Sequence, residues 1–369
     1  MPARAASLRP REIAARRLAN QHLIGARLAT PLDVVRSLGA VQSQDYAGGK
    51  WGIGQRTSSS TDHDVETALS AGAIVRTHVL RPTWHFVAAE DIRWMLALTG
   101  PRVRARMATY DRQLELDEKV FARSAAAITK ALLREKELTR GELREVLDHA
   151  RIGTTGTQRL AHILMRAELD GVVCSGVRKG KQSTYALLEE RLPPARAMSP
   201  DEALAELSRR YFSTRGPATV QDFAWWSGLN VADARRGIES VRSDFEQRTV
   251  DGNTYWFSGS PPARRLVTNA AHLLPNYDEY FIGLKDRSAM AELVKTPAIG
   301  VWGAASVINV VAVEGQLVGR WTRAVTARAA VLQVKLEVKL SPSQRGAIEK
   351  QAKRYAQFWG VAAVATNLS

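Results

Sequence analysis

Two stretches of this chain spell out the same order of elements, and that repetition limits the fold more than any other feature. The order is helix, short turn, second helix, basic hairpin. The first copy runs through Leu138–Leu147 and Thr157–Ala167 to a hairpin over 171–188. In its second helix Leu160, Ile163, Leu164 and Ala167 recur at i, i+3, i+4 and i+7, an apolar stripe that leaves Gln158, Arg159, His162 and Arg166 outside it. The second copy runs through Ala218–Gly228 and Asn230–Val241, where Thr219 or Asn230 can cap a helix. Its hairpin turns at Asp251-Gly252, a pair suited to a two-residue turn. Two helices and a hairpin in this order make a winged helix, and consecutive copies make a tandem array. Winged helices serve both as DNA readers and as protein scaffolds, so each copy stays open between those roles.

The N-terminal region fits the same pattern, with helices expected near 11–24, 31–41 and 62–72 leading into an extended run at 75–87. After Pro261-Pro262 the texture changes. Gln333, Lys335, Glu337 and Lys339 alternate with Leu332, Val334, Leu336 and Val338, the period of a half-buried strand, and a closing helix is expected over 343–359. The expected architecture is therefore α+β: three tandem winged helix-turn-helix motifs followed by a small C-terminal β-barrel. The expected boundaries are 1–112, 113–192, 193–262 and 263–369.

Charge and cysteine content narrow the chemistry. Fifty-two Lys and Arg against 37 Asp and Glu leave a net +15 and a pI near 10.2, a balance suited to a polyanion. An Arg-rich coding bias gives the same composition, so charge alone does not decide. The single cysteine, Cys174, permits no internal disulfide and no thiolate metal cage, which points to a reducing, cytoplasmic setting. The Arg-rich start, Met1–Glu12, lacks the apolar core of a secretory signal and reads as the lead into a first helix. No run approaches the ~20 apolar residues a membrane helix needs. A P-loop, a His-Glu-x-x-His pair and any histidine spacing suited to a metal are missing from the sequence. Neither metal nor cofactor is expected.

One polar motif stands out. Gln42 and Gln44 lie in the run Leu38-Gly-Ala-Val-Gln-Ser-Gln-Asp-Tyr46, and three further runs accompany it: Arg76–Phe86, Leu273–Arg287 and Val313–Trp321. In type and order these runs resemble the AlkZ-like winged-helix DNA glycosylases, whose paired-amide motif follows a short N-terminal helix. Here Ser43 stands where that motif often has an aliphatic residue. The resemblance implies winged helices cradled by a C-terminal β-barrel. It also implies a monofunctional, monomeric glycosylase acting on double-stranded DNA that carries alkylated purines. Bulky adducts or interstrand crosslinks left by DNA-alkylating natural products come within that implication, as does a self-resistance role in a bacterium. Two other functions stay open: a non-catalytic winged-helix DNA-binding regulator, and a protein that sequesters the free drug.

Within that resemblance the chemistry is that of a glycoside hydrolysis, with an oxocarbenium-like sugar and a water delivered to C1′. An N-alkylated purine is already cationic and leaves without a general acid, so neutral amides suffice. Gln42 and Gln44 are assigned to water positioning and electrostatic stabilisation. Residues i and i+2 share a face only in extended chain, so the pair is expected past a helix end, on an extended segment broken by Gly48-Gly49.

Asp45 can hold water or cap the chain. Arg81, Thr83 and His85 alternate along one face of the 79–87 strand, where His85 and Thr83 can support catalysis and Arg81 can meet a phosphate. An internal ion pair for Arg81 and a core position for His85 are the alternatives. Asp278 and Glu279 are read as structural, tied to arginines. Arg320, Arg323 and Arg328 are the candidate phosphate contacts, on or near the hairpin that turns at Glu314-Gly315 or its neighbour.

Overall fold

The computed structural model of the chain describes residues 8–156, 158–259, 261–262, 264–294, 308–326, 329–361 and 363–369, with backbone alone for 363–365. Two compact units emerge. The first unit holds residues 1–65, 205–226 and 230–369, and the second holds 66–204 with 227–229.

The first unit opens with α1 (Pro10–Asn20) and α2 (Pro31–Leu38). A capping box starts α2: Thr30 Oγ1 accepts from the Asp33 amide at 3.2 Å, and Asp33 accepts from the Thr30 amide at 3.1 Å. Gly39, at φ 77°, ends it, a conformation that favours glycine. The short extended piece β1 (Val41–Gln42) follows, then α3 (Tyr46–Gly54) and α4 (Asp62–Ser70).

The helix α3 corrects the expected extended segment broken by Gly48-Gly49, because both glycines are helical. Gly48 and Gly54 are there for closeness of packing. A Cβ on Gly54 would lie 2.4 Å from Phe358 Cε2, and one on Gly48 would lie 3.2 Å from Pro275 Cβ.

The second unit begins with the antiparallel hairpin β2 (Ile74–Val79) and β3 (Arg81–Ala88), turned at Leu80 with φ 64°. Next come α5 (Ile92–Gln113), α6 (Glu118–Glu135), β4 (Leu138–Thr139), α7 (Arg140–His149), α8 (Arg159–Leu169), β5 (Val173–Ser175), β6 (Thr184–Leu187) and the single turn α9 (Leu188–Arg191). The strands form one small sheet in the order β4-β6-β5. The apolar stripe of α8 is buried with Leu132, Leu143, Leu147, Val173 and Tyr185 in one core. Its polar side is also engaged. His162 meets Asp111 at 2.7 Å, and Arg166 meets Glu118 and Asp170, each at 2.7 Å.

The chain returns to the first unit through α10 (Pro200–Arg215), α11 (Val220–Ser227) and α12 (Val231–Ser240), followed by the hairpin β7 (Glu246–Val250) and β8 (Asn253–Phe257). Asn230 caps α12 by accepting from the Asp233 amide at 2.7 Å. Asp251 and Gly252 both have positive φ, 49° and 77°, as a two-residue hairpin turn requires.

Then come α13 (Arg264–Val267), β9 (Ala271–Leu274), α14 (Glu279–Ile282), β10 (Asn309–Val313), β11 (Gln316–Val325), β12 (Ala329–Leu336), α15 (Pro342–Phe358) and β13 (Ala363–Leu368). The five strands make one sheet in the order β13-β12-β11-β10-β9. The expected barrel is thus corrected: among the described residues this sheet is open. The reason lies in α15, which links β12 to its parallel neighbour β13 and packs on the sheet, so a helix covers the apolar face. Trp51, Trp321, Tyr355 and Phe358 fill that layer, with ring centroids 5.0 to 5.4 Å apart and edges to faces. Trp51 Nε1 donates to Leu273 O at 2.7 Å and Trp321 Nε1 to Leu274 O at 2.8 Å, which fixes α3 and β11 to the backbone of β9.

Candidate active site

The glutamine pair sits where the extended backbone ends. Gln42 is buried and closes β1; Ser43 is fully buried; Gln44 is exposed at a bend that leads into α3. The two amides therefore lie at the boundary between core and solvent.

Side chains from distant parts of the first unit grip the backbone around Gln42. Its amide N–H donates to Glu279 Oε1 at 2.8 Å. The other oxygen of that carboxylate accepts from Arg215 Nη2 at 2.6 Å and from Trp226 Nε1 at 2.9 Å. Arg215 also donates to Leu38 O at 2.9 Å and to Ala40 O at 3.3 Å. Glu279, Arg215 and Trp226 are each 0% exposed. Next to them Asp278 takes Arg56 in a two-pronged pair, both distances 2.8 Å, and Arg56 reaches Gln21 Oε1 at 2.8 Å. The adjacent carboxylates 278 and 279 are thus tied to arginines, as the sequence suggested, and those arginines are Arg56 and Arg215.

Asp45 starts α3. Its Oδ1 accepts from the Gly48 amide at 2.9 Å and its Oδ2 from Arg323 Nη2 at 2.7 Å. A Cβ on Gly48 would lie 2.5 Å from Asp45 Oδ2, so glycine there leaves room for the cap. Lys50, one turn on, is buried and paired with Asp62 at 2.6 Å.

The run Arg81, Thr83 and His85 belongs to the second unit. Positions 81–84 are half-buried and 85–88 buried, so burial does not alternate along β3. His85 Nδ1 lies 2.9 Å from Thr83 O. A carbonyl only accepts, so Nδ1 carries a proton and donates it. In the same unit Glu168 of α8 accepts from the His78 amide at 3.0 Å and contacts its ring, which ties α8 to β2.

Arg320 and Arg323 lie on opposite faces of β11. Arg320 points to solvent opposite Lys335, with Glu337 at 4.0 Å, whereas Arg323 turns inward to Asp45. Arg328 lies outside the described residues. Gly315 of the Glu314-Gly315 turn is buried: Tyr280 Oη donates to its carbonyl at 2.9 Å, and a Cβ there would lie 3.1 Å from Ala14 Cβ. That tip packs on α1.

Two further groups are set by burial. The Cys174 thiol is pushed up to about 12, which suits an inert core sulfur. His272 on β9 is brought down to about 3 by burial first, then by Arg27 and Arg56, and stays neutral. Among the described residues no group of His, Cys, Asp or Glu could hold a metal ion, and no helix is long and apolar enough to cross a membrane.

Sequence reading missed Arg215, Trp226 and Arg56 as partners of this site. No local signal marks them, because each acts across tens or hundreds of residues.

A mixed α and β chain with a paired-amide segment held by a buried carboxylate is the class to which the known proteins can be compared. The family model for AlkZ-like DNA glycosylases matches residues 35–358, and the chain belongs to that family. It is 25% identical over 378 residues to the interstrand DNA cross-link repair glycosylase of Streptomyces sahachiroi, an alignment covering 95% of this chain and 96% of that protein. The solved structure of the Streptomyces sahachiroi DNA glycosylase AlkZ has the same fold, with a TM-score of 0.78 at 21% identity, covering 99% of this chain and 100% of that one.

Proposed function

We propose that this DNA glycosylase hydrolyses the N-glycosidic bond of N-alkylated purines in duplex DNA, with Gln42 and Gln44 as the catalytic pair. In this reading a glutamine Oε1 accepts from the attacking water and aims its lone pair at C1′. The amide dipoles face the positive charge that grows on the sugar. The bond to the purine breaks with its electrons moving onto the already cationic ring, and the proton of the water is lost to solvent. Asp45 acts as helix cap and anchor, and Thr83 and His85 are supporting candidates. The three helix–helix–hairpin segments are read as winged helices that follow the DNA, with Arg81, Arg320 and Arg328 as phosphate contacts. Bulky adducts and interstrand crosslinks are the lesion class, a choice supported by the activity named for the Streptomyces sahachiroi relative.

The observation that carries the reading is the Gln42 amide held by a buried carboxylate. A protein that places an ion pair of 0% exposure on the backbone of a glutamine is specifying where that glutamine sits. Gln42→Ala and Gln44→Ala should each slow single-turnover excision from duplexes with defined N7-alkylguanine or N3-alkyladenine by about 10- to 1000-fold, with little change in DNA affinity. Correctly folded variants that excise at the wild-type rate would refute the assignment. If the wild type leaves no abasic sites in alkylated DNA, the chain binds these lesions without catalysis. Excision should proceed in EDTA, and borohydride should trap no covalent adduct, since Lys50 is engaged with Asp62.

A further inference from the structure

We infer that Glu279 and Arg215 are positioning residues for excision, a buried clamp that sets the catalytic register of Gln42; the inference rests on Gln42 being catalytic. The clamp closes on the backbone from two directions. Arg215 takes the carbonyls of Leu38 and Ala40, at 2.9 and 3.3 Å, where the chain leaves α2. Glu279 takes the amide of Gln42 at 2.8 Å, on the far side of the same short segment. Their own pairing at 2.6 Å ties the two grips together, and Trp226 Nε1 donates to the shared oxygen at 2.9 Å. The guanidinium lies 4.2 Å from the Trp226 ring centre, which closes the remaining side.

This arrangement differs from ordinary core packing. A charge pair is not what a core needs for stability, since apolar residues of similar volume do as well or better. What the pair supplies is direction: three hydrogen-bonding contacts at fixed points on five consecutive residues. The carbonyl and amide groups at 38, 40 and 42 would otherwise have to find partners as a helix ends and an extended stretch begins. With the clamp closed, β1 has one position, and the Gln42 side chain leaves it in one direction. Misplacing a catalytic group by about 1 Å costs about 100-fold in rate, so a clamp acting on position should be read in the chemical step and not in DNA affinity.

The test compares two double variants, neither of which leaves a buried charge unpaired. Glu279→Gln/Arg215→Met keeps an acceptor for the Gln42 amide, and Glu279→Leu/Arg215→Met removes it. Single-turnover excision should be about 10- to 100-fold slower in the second than in the first, with the dissociation constants for lesion DNA within about twofold. On a Gln42→Ala background that difference should shrink to within about twofold, because the clamp then has nothing to aim. Equal excision by the two double variants, or a difference that persists undiminished without Gln42, would overturn the clamp. A Gln42→Ala enzyme with wild-type activity would instead overturn the catalytic assignment.

Should both double variants fail to fold, hydrogen exchange on the wild type decides. The Gln42 amide should exchange as slowly as the core strands. Fast exchange at Gln42 would show that the carboxylate does not hold it.

Discussion

The run 42–45 and the run 81–85 both set polar side chains two residues apart in the sequence, yet the contacts on the polar residues of each differ in reach. The first is gripped by side chains from far along the chain: Glu279 reaches Gln42 across 237 residues and Arg323 reaches Asp45 across 278, while Arg215 holds the segment just before it at Leu38 and Ala40. In the second, Trp84 Nε1 donates to Glu168 Oε1 at 3.4 Å across 84 residues, while His85 bonds to a carbonyl two residues away on its own strand. A local contact fixes a side chain relative to its neighbour only. A buried long-range contact fixes it relative to the whole unit, and that is what a reaction needs from a water-positioning group. This difference in reach supports the proposal that the glutamines carry the chemistry.

The largest expected effect tests whether the first run really stands on buried charge. Arg56→Leu strands Asp278, which is 3% exposed, without its two-pronged partner, and should lower stability by about 3–5 kcal/mol in denaturant titrations. Arg56→Leu/Asp278→Leu should recover most of that loss. If the single variant unfolds at the wild-type midpoint, the pair does not anchor this region.

What the sequence made legible is what short-range chemistry decides. The stripe of α8, the alternation along β12, the Asp251-Gly252 turn and the Asn230 cap of α12 all rest on residues within one or two turns of each other. The glutamine motif was legible through its neighbours in order along the chain. The role of Gly48 and Gly54 was not, because a glycine that breaks a helix and one that lets a partner approach look the same until Pro275 and Phe358 are in place. The open sheet escaped for a related reason. Alternation in β12 shows that one face is covered but not whether a second wall of sheet or the helix α15 covers it. Arg215 is one of many arginines until the fold brings Leu38, Ala40 and Glu279 around it.

His272 and His85 carry the comparison into pH. Both are buried, but His272 lies near Arg27 and Arg56 and its pKa is lowered to about 3, whereas an unfolded histidine titrates near 6.5. The unfolded chain therefore takes up a proton that the folded one refuses. This contribution to stability is present above pH 6.5 and is lost as pH falls toward 3. Between about pH 7.5 and pH 5 the loss should be about 2 kcal/mol from this group. His272→Gln should remove that part of the slope, and an unchanged slope would show that His272 is charged or accessible in the fold.

A smaller effect is expected at His85 itself. His85→Ala should slow excision by less than about tenfold, well under the 100-fold or more that loss of a general acid or base brings. A loss matching that of Gln42→Ala would place His85 in the chemistry and end the contrast between the two runs.

The smallest expected effect separates two arginines that the sequence grouped together. Arg320 and Arg323 are three residues apart on β11, but only Arg320 faces solvent, beside Lys335 with like charges directly opposite across the strands. Such a pair is mildly destabilising by itself and suits a surface that meets phosphate. Arg323 is already spent on Asp45 at 2.7 Å. Arg320→Gln should flatten the log–log salt dependence of duplex binding by about 0.9, one phosphate's worth of counterions, with the excision rate at saturating enzyme unchanged. Arg323→Gln should do the reverse, leaving the slope in place while slowing excision, because the cap that sets the start of α3 directly after Gln44 loses its anchor. If Arg323→Gln alone flattens the slope, its pairing with Asp45 gives way to phosphate when DNA binds. The inward face of β11 would then belong to the DNA-binding surface.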